Sequence, residues 1–319
     1  MNFRNGRLFQ TGPIKIGKQA CFLLIILLTP FIIYSQEYTN QLQIQHDNDF
    51  VFAIDRYYTT GTFISYDRII DGDFILRRSP EYPIQLRFAL GQETYTPREL
   101  FESNFDLLER PYAGYLFGSL QISKASENSI FKLEGELGLT GPQSLAGEFQ
   151  VAYHELINEF IPVWEGEIAN SVHANLKSQF VRDFIIPKSD LLSSVSLVSE
   201  ISVGTKSVYA QQGALAYFGK RAGTGTTSAF GRLGDAPELY GIAGVTYKYV
   251  VHNALISGHL FGDSSRFTLD EVASILKWDA GLVYRGERNY AEIVYHYQTK
   301  ETQGEGRWQY VSMTLGRRF

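Results

Sequence analysis

Strict alternation of apolar and polar residues is the feature that most constrains the fold of this chain. In YPIQLRFALG the apolar side chains occupy alternate positions, and SIFKLEGELGL and RWQYVSMTLGRRF repeat the pattern. A period of two sends successive side chains to opposite faces of a β-strand. The sequence therefore predicts an all-β fold. The apolar positions are Ile84, Leu86, Phe88 and Leu90, then Phe131, Leu133, Leu137 and Leu139, and finally Val311, Met313, Leu315 and Phe319.

Three further features favour a transmembrane antiparallel β-barrel over a water-soluble sandwich. The polar positions of the strands carry charge and glycine, as the interior of a barrel does. The last candidate strand ends at Phe319, which resembles the terminal strand of bacterial outer-membrane barrels. Tyrosines cluster near candidate strand ends, where membrane barrels carry aromatic girdles; examples are Tyr247, Tyr249, Tyr295 and Tyr297.

The N-terminal segment predicts a secretory signal. Residues 1–18 hold basic residues and no acidic one, and an apolar run that ends at Ser35 follows them. A basic segment, a short apolar core and a small residue are typical of a signal peptide. We expect residues 1–36 to be the signal peptide and residues 37–319 to form the barrel domain. A membrane anchor is the alternative, and Pro30 and the shortness of the run disfavour it.

The amino-acid composition limits which cross-links and which binding partners we expect. The single cysteine, Cys21, lies in the predicted signal peptide, so we expect no disulfide in the mature chain. The formal net charge is −5, whereas nucleic-acid-binding surfaces are usually basic. We therefore expect no nucleic-acid partner.

The number of strands can be tested against the even count of single-chain bacterial barrels. Thirteen segments qualify, among them 254–262, so one break must be false. Merging 192–204 with 206–220 gives about twelve strands, with short turns inside and long loops outside. The predicted periplasmic turns are then 125–128, 186–191, 251–253 and 286–288, and the predicted extracellular loops are 96–111, 141–166, 221–237 and 263–273.

One segment departs from the strand pattern and predicts a short helix in the third extracellular loop. Within GPQSLAGEFQVAYHELINEF, apolar residues recur at the three- and four-residue spacing of an amphipathic helix. Gln150, His154 and Asn158 form a polar stripe on the same helix. We expect this stripe to face a cleft while the apolar side packs down. The apolar residues are Phe149, Ala152, Tyr153, Leu156, Ile157 and Phe160.

Polar motifs gather at the predicted extracellular rim and carry a family resemblance. QHDNDF ends the first strand, DRYYTTG begins the second, GQETYTP leads into the second loop, and ERPYAG closes it. Followed by GLTGP, a glutamine and His154, these motifs resemble the outer-membrane lipid A 3′-O-deacylase family. The motifs extend from about Leu42 to Trp164, and the resemblance continues beyond them as a barrel pattern.

The resemblance implies a twelve-stranded barrel that hydrolyses the ester at the 3′ position of lipid A, with lipopolysaccharide as the substrate. In that family the site lies between the barrel wall and a loop helix. A calcium ion stabilises the oxyanion and a histidine activates water, much as in secreted phospholipases A2. We accordingly expect a calcium-dependent carboxylic ester hydrolase in the bacterial outer membrane, its site at the extracellular rim, and a monomer.

The same resemblance assigns roles to residues. His154, Asn48 and Thr59 would be catalytic, Gln150 would bind substrate, and Asp49 and Glu159 would bind the metal, with the Glu159 match requiring a one-residue deletion before Trp164. The chemistry of these residue types is suitable. Ester hydrolysis without a serine nucleophile needs a base and a positive centre for the oxyanion. Histidine ordinarily titrates near neutrality, and calcium prefers carboxylate, carbonyl and amide oxygens.

The second extracellular loop departs from the family pattern. A characterised enzyme of this type has a functional lysine there, whereas YTPRELFESNFDLLERPYAG offers only Arg98 and Arg110 as basic residues. A guanidinium can bind a lipid A phosphate through its forked donors, but it cannot serve as a proton donor. We therefore expect Arg98 and Arg110 to bind substrate.

Two other functions remain open from the sequence. A serine-dependent outer-membrane phospholipase is disfavoured because no G-x-S-x-G motif occurs. A non-enzymatic pore or surface-binding barrel would make the polar rim incidental. The glycine-rich segment GKRAGTGTTS lacks the spacing of a phosphate-binding loop and predicts a flexible outer loop.

Overall fold

The computed structural model describes residues 38–49, 56–70, 82–186 and 191–319. The chain divides into two units, Met1–Glu37 and Tyr38–Phe319, and only the second lies within the described residues. The predicted signal peptide lies outside them. No helix in the described part of the chain is long and apolar enough to cross a membrane.

Twelve antiparallel strands close into a barrel in which each strand pairs with its neighbours in sequence and β1 pairs with β12. The closed sheet confirms the predicted fold class. The strands are β1 (Asn40–Asn48), β2 (Tyr57–Ile70), β3 (Ile84–Thr96), β4 (Ala113–Ala125), β5 (Ser129–Thr140), β6 (Ser171–Ile185), β7 (Leu192–Gly204), β8 (Ser207–Lys220), β9 (Glu238–Asn253), β10 (Ser274–Arg285), β11 (Asn289–Gln298) and β12 (Trp308–Arg318). The helices are α1 (Ala146–Ile157) and α2 (Ala254–Ser257), with 3₁₀ turns at Phe105–Leu107, Gly141–Ser144 and Ser228–Phe230.

Side chains alternate between an apolar outer surface and a polar lumen. On β3, Leu90 is 66% exposed on the outer side, whereas Gln85 is buried in the lumen. Several charged lumen residues are paired, as in the Arg87–Asp67 contact of 2.8 Å, and such pairing offsets the cost of burying a charge. A polar cavity of about 180 Å³ remains inside the barrel. It is lined by Gln121, Lys132, Glu134, Lys177, Gln179, Glu200 and Tyr209.

The predicted count of about twelve strands is confirmed, but the predicted merger of 192–204 with 206–220 is wrong. β7 and β8 are separate strands that pair with each other across residues 205–206. The side chain of Asn175 holds this tight turn by accepting hydrogen bonds from the N–H groups of Lys206 and Ser207. A two-residue connection can therefore reverse the chain where we expected a kink.

The false strand is 254–262. Its first residues form α2, because the side chain of Asn253 accepts a hydrogen bond from the N–H of Leu255 and caps the helix. Gly258 and Gly262 then adopt positive φ angles of 79° and 87°, which a regular strand does not contain.

Because of these two corrections, some connections lie at the opposite end of the barrel from the one that we predicted. We call the end where β1 begins and β12 ends the terminal end, and the opposite end the helix end. The connections 126–128, 186–191 and 286–288 lie at the terminal end, and so does 221–237, which we predicted to lie with the extracellular loops. Residues 251–253, a predicted turn, belong to β9. The loops 96–111, 141–166 and 263–273 all lie at the helix end. They therefore share one end of the barrel, as we predicted.

Segment 221–237 is a plug inside the terminal end of the barrel, and the predicted flexible outer loop is wrong. Arg232 lies 3% exposed and donates to the carbonyl oxygens of Gly225, Ser123 and Pro83. These acceptors belong to the plug itself, to β4 and to the residue before β3. The guanidinium therefore fastens the segment across the lumen.

Side chains from other strands bind the backbone of the plug. Gln85 donates to the Gly231 carbonyl at 2.7 Å and accepts from the Leu233 N–H at 2.9 Å. Arg285 of β10 donates to the Thr226 carbonyl at 2.8 Å, and Arg318 of β12 donates to the Gly234 carbonyl. Because β3 lies across the ring of strands from β10, these bonds hold the plug over the terminal end from both sides.

Replacing Arg232 by alanine should loosen the plug. Hydrogen bonds to a charged group contribute about 1.5–3 kcal/mol each and are not additive, so we expect a loss of roughly 3 kcal/mol. The measurement is the temperature at which the barrel loses its compact mobility on semi-native gels. Lys220→Ala, an exposed change beside the same segment, is the control. Equal unfolding temperatures for the two variants would contradict a fastening role.

Candidate active site

Helix α1 packs against the outer surface of the barrel wall, alongside β3 and β4. Gly114 of β4 lies on the outer side, because it shares the alternation of Leu120, which is 48% exposed. A side chain at Gly114 would collide with the Ser144 hydroxyl and the Ala146 methyl group. Gln92, on the outer side of β3, donates to the Ser144 carbonyl at 2.7 Å. Glycine at 114 therefore lets the start of α1 rest directly on the wall.

The polar stripe of α1 is its buried side. Ala146, Gln150 and His154 are the buried residues of the helix, and Ala146 is the one that rests on Gly114. Residues four apart share a helix face, so Gln150 and His154 also turn toward the wall. The expectation that the apolar side packs down is wrong, because Phe149 and Leu156 are exposed. The orientation of α1 instead follows from the polar character of the wall.

That part of the wall is polar. The register pairs Asn48 with Thr60, Thr60 with Thr94, and Thr94 with Gly114, so the four residues form one lateral row on the outer side of β1 to β4. Thr94 is only 2% exposed, although Leu90 on the same side of the same strand is 66% exposed. The row is therefore covered rather than bare.

A β-bulge adds Thr59 to this row. The β2–β3 register shifts between Tyr58 and Thr60, and such a bulge re-aims the extra residue. The hydroxyl of Thr59 lies 2.6 Å from that of Thr96, and both are buried. Tyr57, next to the bulge, has a φ of 69°, a strained value for a bulky residue that is characteristic of functional sites. We call Asn48, Thr59, Thr60, Thr94 and Thr96 the polar wall patch.

The end of α1 fixes the orientation of the His154 ring. Asn158 ends the helix with a φ of 59°, which turns the chain back so that the Phe160 carbonyl oxygen lies 2.5 Å from His154 Nδ1. A carbonyl oxygen can only accept, so Nδ1 carries the proton and Nε2 is the basic nitrogen. This is the tautomer that a general base acting through Nε2 requires.

Trp164 holds the second polar residue of the stripe. Its indole N–H donates to Gln150 Oε1 at 2.9 Å, and its ring packs on Tyr112 with centroids 5.0 Å apart. The sequence motifs did not single out Thr96, Trp164 or the Phe160 carbonyl. For Thr96 the available signal was the threonine of YTP, and for Trp164 it was the tryptophan at the end of the motif region.

The predicted metal ligands are not brought together as an acidic cluster. Asp49 is 2% exposed and accepts from the Arg56 N–H at 3.0 Å, whereas Glu159 is exposed beyond the end of α1. Across residues 38–49, 56–70, 82–186 and 191–319, no three histidine, cysteine, aspartate or glutamate side chains lie close enough to bind one metal ion. The carboxylate of Asp49 and the neutral oxygens of Asn48 and Thr59 are nevertheless of the types that calcium uses as ligands.

The two predicted substrate-binding arginines differ in exposure. Arg98 lies in the loop after β3 with an exposed guanidinium. Arg110 is fully buried, pairs with Glu305 at 3.0 Å, and lies 4.7 Å above the ring of Tyr95. The ion pair ties the loop before β4 to the loop before β12, which gives Arg110 a structural role.

Glu167 is a carboxyl group near the helix that the sequence did not indicate. Burial, the larger cause, and the nearby negative charge of Glu148 on α1 together raise its pKa from the usual 4.5 to about 8. Its Oε1 atom has no hydrogen-bond partner. Strongly shifted carboxyl groups are frequent at functional sites, and this one lies in the chain between α1 and β6.

A serine, a histidine and a glutamate also meet at α2, outside the helix-and-wall site. Ser257 Oγ lies 3.2 Å from His252 Nδ1 and donates to Glu271 at 2.5 Å. In a hydrolytic triad the acid and the nucleophile occupy opposite ring nitrogens. Here both lie on the Nδ1 side, and Nε2 lies 3.2 Å from the Thr205 carbonyl oxygen. The arrangement does not activate the serine.

Comparisons with known proteins agree with this architecture. Residues 20–319 match the family model described as "Outer membrane protein LpxR". The solved structure of LpxR from Salmonella typhimurium superposes with a TM-score of 0.71 at 19% identity, covering 88% of this chain and 100% of that one. The β domain of the Bordetella autotransporter BrkA gives a TM-score of 0.43 at 10% identity, covering 89% and 99%. No curated protein matches the chain.

The fold and the site define an outer-membrane β-barrel with a helix-covered polar site on its outer wall. The family is equally clear, since its model matches almost the whole chain. The protein belongs to the outer membrane protein LpxR family, and this confirms the resemblance carried by the sequence motifs.

The raised pKa of Glu167 should appear in the pH dependence of stability. Between pH 4.5 and about 8 the folded protein retains a proton that the unfolded chain has lost, so stability falls as pH rises through this window. Glu167→Gln should remove this contribution, and its unfolding temperature should drop less than that of wild type from pH 5 to pH 8.5. Glu165→Gln, an exposed neighbour, is the control. Parallel profiles for wild type and Glu167→Gln would contradict the shift.

Proposed function

We propose that the protein is a calcium-dependent hydrolase that removes the 3′-position acyloxyacyl group of lipid A, with His154 activating the attacking water. The observation that supports this most directly is the orientation of α1. The helix turns Gln150 and His154 toward a polar wall patch on the lipid-facing side of the barrel. Such a site lies beside the membrane rather than inside the lumen, and an acyl ester of a membrane lipid can reach it laterally.

His154 is the proposed general base. The contact of its Nδ1 with the Phe160 carbonyl supports the tautomer in which Nε2 accepts a proton from water. The Asn48 amide and the Thr59 hydroxyl are proposed to position the substrate ester and water, since both belong to the polar wall patch, which extends to β3, a strand that α1 contacts. No acyl-enzyme forms in this proposal.

Calcium is proposed as the positive centre. Asp49, with the oxygens of Asn48 and Thr59, would hold the ion, and Glu159 would contribute from the chain that follows α1. When bound, the ion would stabilise negative charge on the ester oxygen. Asp49 directly follows Asn48, the patch residue at the helix end of β1, which supports this assignment.

Substrate binding is proposed to involve Gln150 and Arg98. The exposed guanidinium of Arg98 can bind a lipid A phosphate in the loop above the wall. Arg110, which the sequence assigned to substrate binding, would contribute indirectly. Its ion pair with Glu305 shapes the same loop. The helix end is proposed to be extracellular, because the outer leaflet holds lipopolysaccharide.

The alternative of an open pore finds no support in the described residues. The plug at 221–237 fills the terminal end, and Arg285, Arg232 and Arg318 fasten it. The alternative of a serine phospholipase is not supported by the Ser257–His252–Glu271 group, whose geometry does not make a triad.

Replacing His154 by glutamine should leave the barrel folded but lower turnover by roughly 10²–10⁴-fold, the usual contribution of a positioned base. The measurement is release of 3′-linked acyl groups from lipid A, followed by mass spectrometry. Glu155→Gln, an exposed change at the next helix position, should keep wild-type turnover. A near-wild-type rate in His154→Gln would refute the mechanism without refuting the family assignment.

Removing calcium should abolish turnover, and returning it should restore the activity. Calcium titration by calorimetry gives a second measurement that does not depend on activity. We expect wild type to bind one ion and Asp49→Asn to lose most of this binding, because a carboxylate supplies the charge that calcium needs. Full activity in excess chelator would eliminate the metal mechanism.

Gly114→Ala should displace α1 from the wall, because the added methyl group would meet Ser144 and Ala146. Small displacements of positioning elements can lower rates by about 10²-fold. Gly118→Ala is the matched control on the same side of the same strand, where the nearest atom is a Leu90 methyl carbon at 3.5 Å. If both variants turn over lipid A equally fast, contact of α1 with the wall is not required for activity.

A further inference from the structure

One side of α1, about a third of a turn from the side that faces the wall, is an exposed apolar surface. Phe149 is 62% exposed, Leu156 73% and Phe160 75%. In a water-soluble protein the apolar side of such a helix packs on the core. Here the core-facing side is the one that carries Gln150 and His154.

Neighbouring loops extend this surface. Phe101, in the loop after β3, packs edge to face on Phe160 with ring centroids 5.6 Å apart. Clusters of exposed large apolar residues are uncommon on soluble monomers and mark contact with a partner or a membrane. We call this surface the outer apolar face. It consists of Phe101, Phe149, Tyr153, Leu156, Ile157, Phe160 and Ile161, all at least 45% exposed.

The helix that carries the outer apolar face rests on the lipid-facing side of the barrel. Ala146 rests on Gly114, on the outer side of β4, and the wall residues on that side include Leu90 and Leu120. Leu137 of β5, the strand that leads into the α1 loop, is 66% exposed on the same side. The wall of a membrane barrel contacts hydrocarbon. The exposed residues of α1 therefore lie outside the barrel, beside a wall that faces lipid, and not over the lumen.

The charges of α1 are kept off this face. Glu148 and Glu155 lie seven residues apart, so they share one side of the helix. At 3.6 residues per turn, this charged side is about 100° from the side that carries Phe149 and Leu156, and it lies nearly opposite the side that carries Ala146 and Gln150. Separation of an apolar side from a charged side is the pattern of helices that lie in a membrane interface.

We propose that the outer apolar face of α1 is embedded among the acyl chains of the membrane leaflet at the helix end. His154 then lies between the barrel wall and a helix whose apolar side contacts lipid. The inference concerns membrane contact alone, and it stands or falls independently of the proposed activity.

Spin labels at single cysteines can test this contact directly. The sequence has one cysteine, Cys21, and none from residue 37 onward, so each introduced cysteine is the unique labelling site of the barrel domain. Nitroxides at Phe149→Cys, Leu156→Cys and Phe160→Cys would be studied in protein reconstituted into phospholipid vesicles. Oxygen, which concentrates in hydrocarbon, and a water-soluble nickel chelate report which solvent surrounds each label.

Two matched positions calibrate the measurement. Leu137→Cys reports the lipid-facing wall, and Glu127→Cys, in the exposed turn 126–128, reports water. Gel mobility before and after heating selects the labelled variants that are folded. Testing three positions prevents the failure of one variant from deciding the result.

We expect the three helix labels to collide with oxygen far more than with the nickel chelate, as the Leu137→Cys label does. A label at Glu155→Cys, on the charged side of α1, should be shifted toward the chelate. If the labels at 149, 156 and 160 match Glu127→Cys instead, the outer apolar face is in water and the inference is wrong. Neither result depends on whether the protein hydrolyses lipid A.

Discussion

The pairing of β1 with β12 is the constraint on which the rest of this structure depends. In hydrocarbon, every backbone N–H and C=O must find a partner within the protein, and a closed barrel is one of the two folds that achieve this. Eight residue pairs join Asn48–Val311 through Gln41–Arg318 and complete the ring. Closure fixes which side of each strand faces lipid, so any polar residue on that side must be covered or must reach water. Asn48, Thr60 and Thr94 are such residues.

Helix α1 satisfies that requirement and explains its own unusual orientation. Gly114 and Ala146 give the helix close contact with the wall, and Gln150 and His154 then lie on the wall side. A polar helix side against a polar wall leaves fewer unsatisfied groups than an apolar side would. The apolar side of α1 is left exposed outside the barrel wall, where a barrel in a membrane has lipid rather than water.

The sequence predicts the class of fold well because strand alternation is a local property. The motifs of the first two strands and of α1 are contiguous in sequence, and the prediction that they lie at one end of the barrel is confirmed. Orientation was harder: periodicity shows that Gln150 and Phe149 lie on different sides of a helix, but not which of those sides meets the wall. The separate strands β7 and β8 depend on Asn175, which is remote in sequence. The pairing of Arg110 with Glu305 spans 195 residues and leaves no local signal.

The backbone and the side chain of Phe160 lie in two different surroundings. Its carbonyl oxygen contacts His154 Nδ1, while its side chain is three-quarters exposed and packs on Phe101. Any force on the aromatic ring therefore acts, through a single residue, on the hydrogen bond that orients the imidazole. With the outer apolar face embedded in lipid as proposed, the order and thickness of the surrounding bilayer would become variables of the site itself. Detergent micelles, which replace a laterally ordered layer by a mobile one, would then change the orientation of the imidazole without altering any residue.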